Sequence, residues 1–90
     1  MRIIAEIPHP ELKITVFQMN GKLSLKLEKN LLEQTYKFRD GSGVNALADI
    51  EALLTEDFLS KVHSIFSDMA ANRMDGLMSA HPEDEFDTII

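Results

Sequence analysis

From Leu12 to Glu28, apolar and polar residues alternate with period two around a central Asn20-Gly21. A two-residue type I′ turn needs φ > 0 at both central positions, which Asn and Gly tolerate best, so the pattern predicts a β-hairpin. Such a turn also sets the register, with Met19 opposite Lys22. Ile14 opposite Leu27 and Val16 opposite Leu25 then make an apolar face. Lys13 opposite Glu28, Thr15 opposite Lys26 and Phe17 opposite Ser24 make a polar one, closed by an opposite-charge pair.

The same period runs on either side of the hairpin. Residues 2–7 place Ile3, Ala5 and Ile7 on one side and Arg2, Ile4 and Glu6 on the other, predicting a first strand that Pro8-His9-Pro10 ends. Lys29-Asn30-Leu31 turns the chain into a further strand over Leu32–Arg39. After Asp40-Gly41-Ser42-Gly43 the period changes to 3.6. Ala46, Leu47, Ile50, Leu53 and Leu54 outline a short helix with Asn45 or Ser42 as N-cap. Thr55 caps a second helix, whose first turn carries Glu56 and Asp57, as the helix dipole favours. Phe58, Leu59, Val62, Ile65, Phe66, Met69 and Met74 form its stripe; it continues to Asp75-Gly76 or slightly beyond, and His81-Pro82 ends any helix.

The expected architecture is α+β: a four-stranded, mainly antiparallel sheet in ββββαα order with both C-terminal helices on one face. Ile14, Val16, Leu23, Leu25, Leu27, Tyr36 and Phe38 would meet Leu47, Ile50, Leu53, Phe58, Val62, Ile65 and Phe66. Residues 1–81 form a single domain in this reading. Residues 82–90, acidic and poor in apolar side chains, form a disordered tail.

Composition narrows the function classes. Ninety residues without cysteine exclude disulfides and thiolate metal sites. No apolar run approaches the roughly 20 residues that span a bilayer, and the first residues enter strand-like alternation with no secretory leader. The expectation is a cytoplasmic protein with no membrane contact. The net charge of −6 is unevenly spread. Residues 1–41 carry seven Lys/Arg against five Asp/Glu, net +2, whereas residues 42–90 carry two against ten, net −8. Such segregation points to interaction surfaces.

Catalytic and cofactor chemistry finds little support. His9, His63 and His81 have no His or acid at i+3 or i+4 on a shared helical face, so no local metal pair forms. No elbow presents Ser60, Ser64 or Ser67 as a nucleophile beside His63. Gly41-Ser42-Gly43 lacks both dinucleotide spacing and a P-loop lysine. The chain is therefore expected to be no enzyme and to hold no cofactor.

Three surfaces remain. Lys13, Phe17, Lys22, Lys26, Lys37 and Arg39 share the sheet face turned away from the helices. A helix-backed sheet with a basic face and an exposed aromatic is one construction of single-stranded nucleic-acid binders. Lysines there also keep a wet face soluble and discourage edge pairing. Met69, Met74, Leu77 and Met78 at the helix end overhang the sheet and offer contacts for a homodimer. The last segment, Glu83-Asp84-Glu85-Phe86-Asp87-Thr88-Ile89-Ile90, combines acids with an apolar tip. It resembles the acidic, hydrophobic-tipped tails by which bacterial single-stranded-DNA-binding proteins recruit partners. Asp87-Thr88-Ile89-Ile90 also resembles a class I PDZ ligand. Either resemblance implies another protein as the partner of Phe86, Asp87, Thr88, Ile89 and Ile90. The segment also has the charge to cover the basic sheet face. The expectation is a self-associating protein-interaction or structural module, with single-stranded nucleic-acid binding as the alternative.

Overall fold

Alternation of period two in four segments becomes four strands: β1 (Arg2–Ile7), β2 (Lys13–Met19), β3 (Lys22–Lys29) and β4 (Leu32–Lys37). In this computed structural model residues 1–39 and 41–80 are described, so the expected tail lies outside the described residues. The strands pair in sequence order as an antiparallel meander. Two helices follow, α1 (Leu47–Leu53) and α2 (Glu56–Ala80). This is the expected α+β order.

The central hairpin has the register that its turn dictates, from Met19 opposite Lys22 to Lys13 opposite Glu28. Asn20 and Gly21 adopt φ values of 53° and 76°. The β3–β4 connection repeats the two-residue turn, with Lys29 opposite Leu32. Its central residues are Asn30 at φ 51° and Leu31 at φ 65°. A leucine with its Cβ crowded against the carbonyl is a costly occupant of that region. β4 ends at Lys37 by hydrogen-bond pattern, yet the Phe38 amide still donates to the Leu23 carbonyl at 3.0 Å, so the ladder reaches one residue further.

The first strand departs from simple alternation. Ile3 pairs with Phe17 and Ala5 with Val16, leaving Ile4 as the extra residue of a β-bulge. The bulge puts Ile3 on the Phe17 side of the sheet, away from Ala5 and Ile7. Ile3 and Ile4 are both exposed in consequence. Bulges are common on edge strands, where they bend the strand and blunt further pairing.

The core lies between the other sheet face and the helices. Leu12, Ile14, Val16, Leu23, Leu25 and Leu27 are buried with Ile50 of α1 and Val62 and Phe66 of α2. Tyr36, Phe38, Leu47, Phe58 and Met69 pack against this cluster half-buried. Ile65, expected in the core, is exposed. Val62 and Phe66, one turn apart, take the inward line, and Ile65 falls on the flank beside it.

The helix starts follow local chemistry. Thr55 Oγ1 accepts the Phe58 amide at 3.2 Å, as expected of an N-cap. The N-cap of α1 is Ala46, neither Asn45 nor Ser42. With no side-chain acceptor there, Asp49 reaches back and accepts the amides of Asn45 and Ala46 at 2.9 and 3.1 Å. α2 runs past Gly76 to Ala80, immediately before His81-Pro82. Its 25 residues give a rod about 37 Å long, whereas six to eight residues of strand span about 20–27 Å. The helix must overrun the sheet. The Cα radius of gyration is accordingly 16.6 Å, against about 12 Å for a compact chain of this length.

Candidate functional site

The position of α2 is set by two polar anchors. Gln34, buried in β4, donates through Nε2 to the Val62 carbonyl at 3.0 Å and accepts the Tyr36 hydroxyl at 3.2 Å. Both functions of its amide are thereby used, as a buried amide requires. Three turns later Arg73 Nη1 donates to the Asn30 carbonyl at 3.2 Å, in the β3–β4 turn. α2 therefore runs along the sheet from Tyr36, whose ring lies 5.5 Å from that of Phe58, towards Asn30. Beyond that turn there is no sheet left to cover.

Every residue from 71 to 80 is exposed. Met74, Leu77 and Met78 remain 56%, 45% and 45% accessible and lie within about 100° of one another around the helix, with Ala70 on the same side. Met69, grouped with them by sequence, instead packs half-buried on the core. Leu31, one residue from the carbonyl that Arg73 holds, is 100% accessible. This apolar residue in a strained turn and the exposed strip have no packing partner among the described residues. Sequence spacing does not single out Leu31; the occurrence of Asn-Leu where a two-residue turn favours Asn-Gly was the available signal.

The open sheet face is divided along the strands. At the end near the β3–β4 turn, Lys13 aligns with Glu28 and Glu33. In the middle, Lys26 bonds Glu28 Oε1 at 3.1 Å and lies 5.0 Å from the Phe17 ring centroid. That lysine is engaged twice already. Thr15, opposite Lys26, is buried, and its Oγ1 has no hydrogen-bond partner among the described residues. At the end near the β2–β3 turn the face is basic. A cleft of about 510 Å³ is lined there by Met19, Lys22, Leu23, Lys37, Phe38 and Arg39. Lys22, Lys37 and Arg39 take part in no ion pair among the described residues. Of the six residues expected on this face, these three thus gather at one end, Phe17 and Lys26 interact in the middle, and Lys13 sits among acids.

The structure also brings together histidines that are over fifty residues apart in sequence. The rings of His9 and His63 are 6.1 Å apart, and His63 Nε2 lies 3.8 Å from Glu11 Oε1. His9 Nδ1 accepts the amides of Glu11 and Leu12 at 3.0 and 3.1 Å, closing the β1–β2 loop against α2. Nδ1 is fully occupied by backbone donors, and no serine or threonine hydroxyl bonds to either imidazole among the described residues. Nor are three metal-ligating side chains grouped among those residues. No helix among them is long and apolar enough to cross a membrane. The expected tail motif, Phe86 to Ile90, lies outside the described residues.

No family model, no curated protein and no solved structure matches the chain.

Proposed function

We propose that the protein is a non-enzymatic interaction module that self-associates through the projecting end of α2. One observation carries this reading: α2 runs on as helix from Arg73, at the end of the sheet, to Ala80 while leaving Met74, Leu77 and Met78 exposed. So short a helical end, containing Gly76, is marginal in water without a packing partner. An antiparallel pair of such ends, centred near Met74, would set Ala70 against Met78 of the second copy. Ala70 on that face and Ala71 beside it leave room for close approach. Leu31 would extend the buried area toward what a stable dimer needs. The absence of cysteine and of an apolar span supports a cytoplasmic setting for this module.

Sedimentation equilibrium tests the reading. The expected species has twice the chain mass, and the double substitution Met74→Glu, Leu77→Glu returns it to monomer with unchanged circular dichroism. A monomeric wild type, or a dimer indifferent to those substitutions, overturns it.

The basic cleft supports a second reading, single-stranded nucleic-acid binding, with Lys22, Lys37 and Arg39 on phosphates and Phe17 under a base. Lys26, already paired, and the acids Glu28 and Glu33 weigh against it. It requires affinity that falls steeply with salt.

A further inference from the structure

We propose that the cleft at the β2–β3 end of the sheet receives residues 83–90 of a second copy of this chain. The inference rests on the self-association reading and names what the dimer does with its tails.

Charge is the first argument. Lys22, Lys37 and Arg39 rim the cleft, and apolar Leu23 and Phe38 form part of its wall. The segment 83–90 has matching chemistry, four acids interleaved with Phe86, Ile89 and Ile90. An acidic peptide with bulky apolar residues fits a basic-rimmed apolar cleft better than a nucleic acid does, because the cleft itself offers only one aromatic ring.

Reach is the second argument, and it decides between a chain's own tail and another's. Arg73 holds α2 at Asn30, and the seven residues from there to Ala80 carry it about 10 Å past the turn. From Asn30 back to Lys22 is eight residues of strand, about 27 Å. Phe86 is six residues beyond Ala80 and reaches at most about 21 Å, and Ile90 about 35 Å, short of the roughly 37 Å required. A chain's own tail therefore cannot bring even Ile90 into its own cleft. In an antiparallel pair centred on Met74, by contrast, Ala80 lies beside position 68 of the second copy. The tail then travels toward that copy's Phe58, about 15 Å along the helix, and on past Tyr36 to Phe38, about 25 Å in all. Seven or eight extended residues cover that distance, so Ile89 and Ile90 reach the cleft and Phe86 meets its Tyr36 side. The helix polarity that pairs the projecting ends also aims each tail at the other copy's cations.

The test uses the full chain in two variants: one with Lys22, Lys37 and Arg39 changed to Glu, the other with Phe86→Ala, Ile89→Ala and Ile90→Ala. Lys22, Lys37 and Arg39 are exposed, and unchanged thermal unfolding of each variant at low concentration checks that the fold is intact. Each variant is expected to raise the dimer Kd about tenfold, the wild-type Kd rising with salt as well. Combining both sets in one chain should cost no more than the larger single effect, because they remove the same contact. Mixing the cleft variant with the tail variant should give heterodimer in excess over the statistical ratio by native mass spectrometry, since only the heterodimer keeps one intact tail–cleft pair. A statistical mixture, or a Kd unmoved by either variant, overturns the proposal. If that dimer is nonetheless dissolved by Met74→Glu, Leu77→Glu, the helix contact stands and only the tail docking falls. Cleft substitutions that abolish binding of a single-stranded oligonucleotide but leave the dimer unchanged also overturn it, in favour of nucleic acid.

Discussion

The two ends of α2 have the same helical period and opposite fates. Between Phe58 and Ala70 every large apolar residue but Ile65 packs on the core, and Val62 and Phe66 are buried. Between Ala71 and Ala80 residues of the same kind find nothing and stay exposed. An amphipathic pattern states that a face needs cover without stating what supplies it. Within the first end the cover comes from β4 and the core. For the second, no element of the described chain is available.

Substitutions can break or sharpen this contrast. The largest effect is expected from Phe66→Ala, which removes a buried ring and leaves a cavity, costing about 3–5 kcal/mol in denaturant unfolding. Leu77→Ala, eleven residues later on the same helix, should leave monomer stability within about 0.5 kcal/mol. Equal losses at the two sites would refute the division. Gln34→Ala should cost about 1–3 kcal/mol, because it removes the amide that ties Val62 to β4 and strands the Tyr36 hydroxyl. Next in size is Leu31→Gly, at the turn where α2 leaves the sheet. Relieving the left-handed conformation of a leucine should stabilise the monomer by about 1 kcal/mol, while weakening the dimer if Leu31 is part of its surface. A destabilised monomer would show that Leu31 is held by contacts beyond its turn. The smallest change is in the dependence of the unfolding midpoint on protein concentration. Wild type should show a midpoint that rises with concentration, and Met74→Glu, Leu77→Glu should flatten it.

Much of the fold was legible from residues close together in sequence. Asn20-Gly21 specifies a two-residue turn, and a two-residue turn dictates every pair up to Lys13 opposite Glu28. Thr55 followed by two acids marks the start of α2. The bulge at Ile4 was not legible, because the first strand's alternation is equally consistent with unbroken pairing. Asp49 capping α1 in place of Asn45 or Ser42 escaped for a similar reason, since either side chain could have served but the backbone puts Ala46 at the N-cap. Sequence parity alone assigned the six residues expected on the open face to one side. It could not reveal that Lys26 is spent on Glu28 and Phe17 while Lys22, Lys37 and Arg39 converge on a cleft. The His9–His63 approach joins the β1–β2 loop to α2 and leaves no trace in local spacing.

The sequence by itself determined the elements, their order and the hairpin register, since turn chemistry, side-chain alternation and capping act over a few residues. Only the tertiary structure decided which stretch of α2 the sheet covers and which cations take no ion pair among the described residues. Those outcomes depend on relative lengths and crossing paths of elements distant in the chain. A helix about 37 Å long laid on strands of about 20–27 Å must leave an end uncovered, and where it does so is a property of the packed molecule.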